Sequence, residues 1–113
     1  MTYRVVLQRL AVEDLNAAYL HVAGHAPKTA ARWFERFQAA LQTLDQRPDR
    51  CPFAPEKRKV GIELREFQFG RPPNVFRAIF LIDGEAVRIL RVRRAQRRSL
   101  SRQEINEARE IDN

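Results

Sequence analysis

The stretch Val75-Phe76-Arg77-Ala78-Ile79-Phe80-Leu81-Ile82-Asp83-Gly84-Glu85-Ala86-Val87-Arg88-Ile89-Leu90-Arg91-Val92-Arg93-Arg94, continued by Ala95-Gln96-Arg97-Arg98, reads as one β-hairpin that runs into a cluster of arginines. Two β-rich runs flank Asp83-Gly84, a dipeptide that supplies the positive backbone angles of a tight two-residue turn. With Ile82 opposite Glu85, the expected register sets Phe80 against Val87, Ala78 against Ile89 and Arg77 against Leu90. Side chains alternate across a strand, so Phe76, Ala78, Phe80, Ile82, Val87 and Ile89 share one face, and Arg77, Arg88, Leu90 and Val92 the other. The first is a core face. The second is mixed, with arginines on it, and no acidic residue falls between positions 86 and 103. Seven arginines lie between Arg88 and Arg102, so the positive charge is concentrated.

Outward from the hairpin, the elements follow from periodicity. Tyr3 to Gln8 alternates and contains two valines, which predicts a first strand. Val12, Leu15, Tyr19 and Val22 recur at spacings of three and four, predicting a helix stopped at Gly24. Pro27 opens a second helix where a missing amide proton costs nothing, and Ala30, Phe34, Phe37, Leu41 and Leu44 keep the same rhythm up to Pro48. Residues 48–61 hold three prolines and Gly61 and read as an irregular connection. A strand is expected from Ile62, with its alternation broken between Leu64 and Phe67 as at a bulge. Beyond the hairpin, Ser101 and Glu104 have capping-box spacing, with Leu100 and Ile105 placed as a hydrophobic staple. They open a short helix from Arg102 to about Ile111.

The expected fold is therefore α+β: an N-terminal strand, an antiparallel helical hairpin packed on a mainly antiparallel sheet with a C-terminal three-strand meander, and a short C-terminal helix. The 113 residues suit a single domain, 1–113, and no repeat or low-complexity segment is present. The helical hairpin would cover one sheet face and leave the other partly open, and function is expected there.

The formal charge of +7 is uneven. Residues 1–56 carry 7 basic against 6 acidic side chains, and residues 57–113 carry 14 against 8. Such asymmetry suits a polyanion or an acidic protein partner. Of the 21 basic residues 18 are arginine, which favours bidentate contact with phosphate or carboxylate, although GC-rich coding yields the same bias. No run is long and apolar enough to span a bilayer, and the start Met-Thr-Tyr-Arg lacks a signal-peptide core, so a soluble, cytoplasmic protein with no membrane partner is expected. The lone Cys51 is read as a structural or incidental thiol rather than a nucleophile. His21 and His25 stand one helical turn apart, a spacing that can bring two imidazoles to one metal, but a third ligand is not evident and the helix dipole accounts for them. No metal and no cofactor is expected. Phe34 and Phe37 fit the core stripe, and Trp33, at its edge, is read as an inter-helix contact.

The element order, Leu64-Arg65, Phe76-Arg77-Ala78-Ile79-Phe80, and Ile89-Leu90-Arg91-Val92-Arg93 with arginines after it resemble the RelE/ParE superfamily of toxins from type II toxin-antitoxin systems. The resemblance covers nearly the whole chain. It implies a small basic toxin neutralised by a cognate antitoxin, with operator DNA touched only through that antitoxin. RelE-like relatives cleave mRNA on the ribosome with a basic sheet face and, commonly, a tyrosine or histidine near the C-terminus. ParE-like relatives, the plasmid stabilisation proteins, lack that residue and inhibit DNA gyrase. RNA cleavage needs a titratable group to activate a ribose hydroxyl as well as cations for the phosphate, and arginine stays protonated. After Tyr19 and His25 this chain has neither tyrosine nor histidine. Phe76 and Phe80 stand where relatives often carry aromatic hydroxyls, Arg94 where many carry histidine, and Leu100-Ser101-Arg102 where the terminal tyrosine falls. The resemblance thus implies a ParE-like gyrase inhibitor, with ribosome-dependent mRNA cleavage and a non-toxic nucleic-acid-binding module as the alternatives. Arg65, Arg77 and Arg93 match basic positions of the family. Together with Arg88, Arg91, Arg94, Arg97 and Arg98 they are the candidates for contact with target or phosphate, while any one exposed strand arginine serves equally well as a solvated cover for apolar surface. Seven like charges repel, and the cluster calls for a compensating partner.

Overall fold

The computed structural model describes residues 2–110. Strand β1 (Arg4–Leu7) leads into helix α1 (Arg9–His25), which turns at Ala26 into helix α2 (Pro27–Gln42). Two single 3-10 turns and the short helix α3 (Lys57–Val60) cross to the antiparallel strands β2 (Arg65–Arg71), β3 (Asn74–Asp83) and β4 (Ala86–Arg94), and helix α4 (Arg102–Ala108) follows. The sheet order is β1-β4-β3-β2, with β1 parallel to β4 and the other pairs antiparallel. The expected α+β architecture is the one observed. The parallel β1–β4 pair requires a long crossover, and the helical hairpin is part of it.

The hairpin register differs from the expected one in two ways. Gly84, at φ 60°, occupies the first turn position rather than the second, so Asp83 pairs with Ala86, Ile82 with Val87 and Phe80 with Ile89. The pairing slides by two residues, so the face assignment survives. A bulge then intervenes: Phe80 faces Ile89 but Ile79 faces Arg91, leaving Leu90 as the extra residue. Beyond it Ala78 faces Val92 and Arg77 faces Arg93, not Leu90. The bulge therefore turns Val92 onto the core face, against expectation.

Two further boundaries move. Ile62 and Leu64 precede the second strand, which begins at Arg65; Leu64 is fully buried in the connection. Helix α1 starts three residues earlier than Val12, and its buried stripe is Ala11 and Leu15 with Ala18 packed alongside, so Val12 stands 43% exposed. In α2 the expected stripe holds, with Ala30, Phe37 and Leu41 buried and Phe34 packed against them. The capping box at Ser101 and Glu104 is formed in both directions, and Leu100 and Ile105 are both buried. The expected end of α4 at Ile111 lies outside the described residues.

The core has two parts. Between the helical hairpin and the sheet lie Leu15, Phe37, Leu41, Phe76, Phe80, Val87 and Ile89. On the opposite sheet face Ile79 and Leu90 pack with Leu64, Leu100, Ile105 and Ala108. That second face, expected to be partly open, is covered by α4 and the 54–64 connection. The reason is legible in hindsight: Ile79 and Leu90 demand burial, and the staple residues Leu100 and Ile105 supply it.

Candidate functional site

The arginines of β3 and β4 divide by what holds them. Arg77 is 5% exposed, and its guanidinium makes a two-armed bond to the carboxylate of Glu56, Nη1 to Oε2 at 2.9 Å. Its Nε donates to Glu66 Oε1 at 3.0 Å. Glu56, wholly buried, also accepts the backbone N–H of Leu100 at 2.8 Å. A buried carboxylate is stable only with such a set of donors, and the set ties the connection, the sheet and the chain entering α4 together.

Arg65 is likewise occupied within the chain. Its Nη1 donates to the carbonyls of Cys51 at 2.7 Å and Asp49 at 3.2 Å, and its guanidinium lies 4.2 Å from the Phe53 ring centroid. Arg88 pairs with Asp83 at 2.8 Å. Arg91 binds both oxygens of Asp14 on α1 at 2.7 and 3.0 Å, and the backbone N–H of Val92 donates to the same carboxylate at 2.9 Å. Asp14 thus satisfies an amide that the bulge removes from the ladder. Its bond also raises the pKa of Arg91 above the ordinary arginine value.

Arg93 is buried but poorly partnered. It is 5% exposed, and its Nε and Nη1 find no hydrogen-bond partner among the described residues. The Glu104 carboxylate stands 3.6 Å from Nη1, close enough for attraction but too far for a bond. Burial, then repulsion from Arg97, lowers the Arg93 pKa. Glu104 itself is pushed down to about 2 by the backbone N–H of Ser101 and the Arg98 guanidinium. Arg98 bonds Glu104 at 2.9 Å and is exposed. Arg94 reaches Asn74 Oδ1 at 3.3 Å while its Nε is buried without a partner among the described residues. Arg97 is exposed, and its side chain makes no hydrogen bond to the described residues.

The eight sequence candidates thus do not form one site. Arg65 and Arg77 are engaged by groups of the chain itself, Arg88 and Arg91 are paired, and Arg93, Arg94, Arg97 and Arg98 gather at the end of β4. Sequence reasoning missed the acids: Asp14 and Glu56 lie 77 and 21 residues from the arginines they hold, while Glu66 holds Arg77 from the neighbouring strand, 11 residues away.

Three clefts of about 610, 510 and 190 Å³ run between the helical hairpin and the sheet, the first at the β2–β3 turn and the other two beside the β4 end. The first two meet at Thr29, Trp33 and Asn74, the last two at His21, Phe76 and Arg94. Trp33 packs on Phe37 at 5.6 Å and Phe76 at 5.3 Å between ring centroids, so it seals the helix-to-sheet seam. Across the two helices, Tyr19 and Phe34 make a ring contact 5.1 Å apart. His25 Nδ1 lies 2.9 Å from the His21 carbonyl. No cluster of three potential metal ligands occurs among the described residues. Cys51 is buried, and burial raises its thiol pKa, as befits a structural residue. No helix among the described residues is long and apolar enough to cross a membrane.

A helical hairpin on a β1-β4-β3-β2 sheet, closed by a capped C-terminal helix and bearing arginines at the β4 end, defines a small basic protein of the RelE/ParE toxin type. Residues 5–99 match the family described as ParE toxin of type II toxin-antitoxin system, parDE, and the chain belongs to that family. A chain of the solved structure described as the chromosomal ParDE TA system from P. aeruginosa has the same fold: TM-score 0.67, 23% identity, covering 84% of this chain and 98% of that one. No curated protein matches the sequence significantly.

Proposed function

We propose that this ParE-family toxin arrests growth by binding DNA gyrase in the cytoplasm and is held silent by a cognate antitoxin, through which alone it meets operator DNA. The observation that carries the reading is the fate of Arg77. On a sheet face used for RNA cleavage it would be a free cation; here two glutamates neutralise it and α4 lies over that face. The one glutamate in reach of Arg93, Glu104, has a pKa near 2, too low for a general base at neutral pH. What remains for an outside partner is the exposed cationic rim, suited to protein binding through charge complementarity.

The test is controlled expression of the chain alone in a bacterial host, with growth scored beside supercoiling by purified gyrase. Arrest with lost supercoiling is expected. Arrest with normal supercoiling would move the reading to mRNA cleavage on the ribosome, and unimpaired growth would count against both.

A further inference from the structure

The arginines that end β4 are short of acceptors in one place. The cleft of about 190 Å³ between α1 and the β4 end is lined by Arg91, Arg93, Arg94 and Arg97, with Asp14 as the one acid in its wall. Asp14 is occupied by Arg91 and the Val92 amide. Glu104, the carboxylate beside Arg93, is held by Arg98 and the Ser101 amide and stands 3.6 Å from Arg93 Nη1. Three cations are thereby left without a counter-ion. Arg93 is almost wholly buried with Nε and Nη1 unpartnered among the described residues, and Arg94 Nε is buried in the same condition. Arg97 is exposed, makes no hydrogen bond to the described residues, and lies near enough to repel Arg93. The backbone adds a donor. Ala95 donates across the ladder to the Val75 carbonyl, whereas Val92 donates away from it to Asp14. Alternation along the strand turns the Arg94 N–H outward with that of Val92, on the side where β1 has already ended at Leu7. Neighbouring like charges repel, and buried donors without acceptors cost stability, so this cluster is most stable with an anion in it.

We propose that this cleft binds a tetrahedral oxyanion of the phosphate class, held by the Arg94 and Arg97 guanidinium groups and the Arg94 amide, with the charge of Arg93 beside it. A dianion suits the site better than a carboxylate, because three cations lack counter-ions and one carboxylate balances only one of them. The planar guanidinium fork also matches phosphate oxygens two at a time. Arg94 is free to turn towards the anion, since its one hydrogen bond, to Asn74 Oδ1, is long at 3.3 Å. The cleft is smaller than the roughly 300 Å³ at which pockets for drug-sized molecules begin, so what enters it is a free ion or the terminal phosphoryl group of a larger molecule. The site asks nothing of gyrase and stands apart from the reading of the chain as its inhibitor.

The probe is inorganic phosphate, titrated calorimetrically into the full-length chain at slightly alkaline pH, where it is a dianion, with chloride holding the ionic strength constant. Saturable binding is expected, and with it shifts of the Arg94 amide and Nε–H signals in nitrogen-15 NMR spectra. Arg97→Gln, a change at an exposed side chain that leaves the packing alone, is expected to weaken binding about tenfold or more, the worth of one charge-assisted hydrogen bond. Arg4→Gln removes the same charge at the far end of the β1–β4 pair and should bind phosphate as the unaltered chain does. Adenosine monophosphate that competes with phosphate would uphold the site and identify its occupant as the end group of a larger molecule; binding of phosphate without such competition would uphold it for the free ion. Acetate bound as tightly as phosphate overturns the phosphate class. No binding beyond the effect of chloride, or binding unchanged in Arg97→Gln, overturns the site.

Discussion

Arg77 shows how one residue can be placed correctly from sequence while the groups that hold it stay hidden. Its position on the second face of β3 followed from alternation. Its partners did not: Glu56 comes from the irregular connection, where no strand pattern applies, and Glu66, on the neighbouring strand, becomes a diagonal partner only once the β2–β3 register is fixed. A buried pair of this kind is costly to break by halves: removing one partner strands the other charge in a medium that solvates it poorly. Arg77→Ala or Glu56→Gln is expected to destabilise the fold by about 3–5 kcal/mol, measured by urea unfolding. Glu104 gives a pH test at the same scale. Its folded pKa is about 2 against an ordinary 4.5, so its carboxylate stabilises the native state fully above about pH 4.5, and that contribution is lost as the pH falls towards 2. Glu104→Gln should therefore lower the melting temperature at pH 7 but converge on the parent protein near pH 2. A constant difference across that range would show that the carboxylate's charge is not what matters.

At the scale of elements, α4 and the β3–β4 hairpin illustrate what local chemistry does and does not specify. The capping box was legible because it is written in two residues three apart, and both of its bonds form. Ser101→Ala is expected to cost about 1 kcal/mol, seen in thermal unfolding, and to loosen the cover over Ile79 and Leu90. The hairpin turn was legible as a turn but not in register, since Gly84 fits either central position and only cross-strand packing chooses between them. The bulge at Leu90 was not legible at all. Just past it, where β1 no longer runs beside β4, a side chain from another element, Asp14, accepts the Val92 amide and so removes the penalty of an unpaired donor. Asp14→Ala should then destabilise by about 1–3 kcal/mol. Amide exchange at Val92 should rise more than elsewhere in β4, a local signature that simple loss of the Arg91 ion pair would not give.

Over the whole molecule, the charge asymmetry read from the sequence is partly undone by folding. Asp14 and Glu56 belong to the nearly balanced first half, yet they bind Arg91 and Arg77 of the basic second half. The arginine cluster, which taken as a sequence calls for an outside partner, is thus compensated from within at Arg88, Arg91 and Arg98, and the charge left over lies mainly at the end of β4. There burial, and after it repulsion from Arg97, lowers the pKa of Arg93. Two salt effects compete on such a molecule. Added salt weakens exposed pairs such as Arg9–Glu13 and Arg88–Asp83, each worth at most about 1 kcal/mol, and it screens mutual repulsion in a chain of net charge +7. The buried Arg77–Glu56 pair is out of reach of the ions, so the attractive term that salt can remove is small and repulsion should dominate. The melting temperature is therefore expected to rise between about 0.05 and 0.5 M salt, a range that takes the screening length from beyond 10 Å to well below it. Arg97→Gln should raise stability by a few tenths of a kcal/mol at low salt and reduce the salt slope. A melting temperature that falls with salt, or an Arg97→Gln chain with an unchanged slope, would mean that the arginines at the β4 end are already neutralised without a partner.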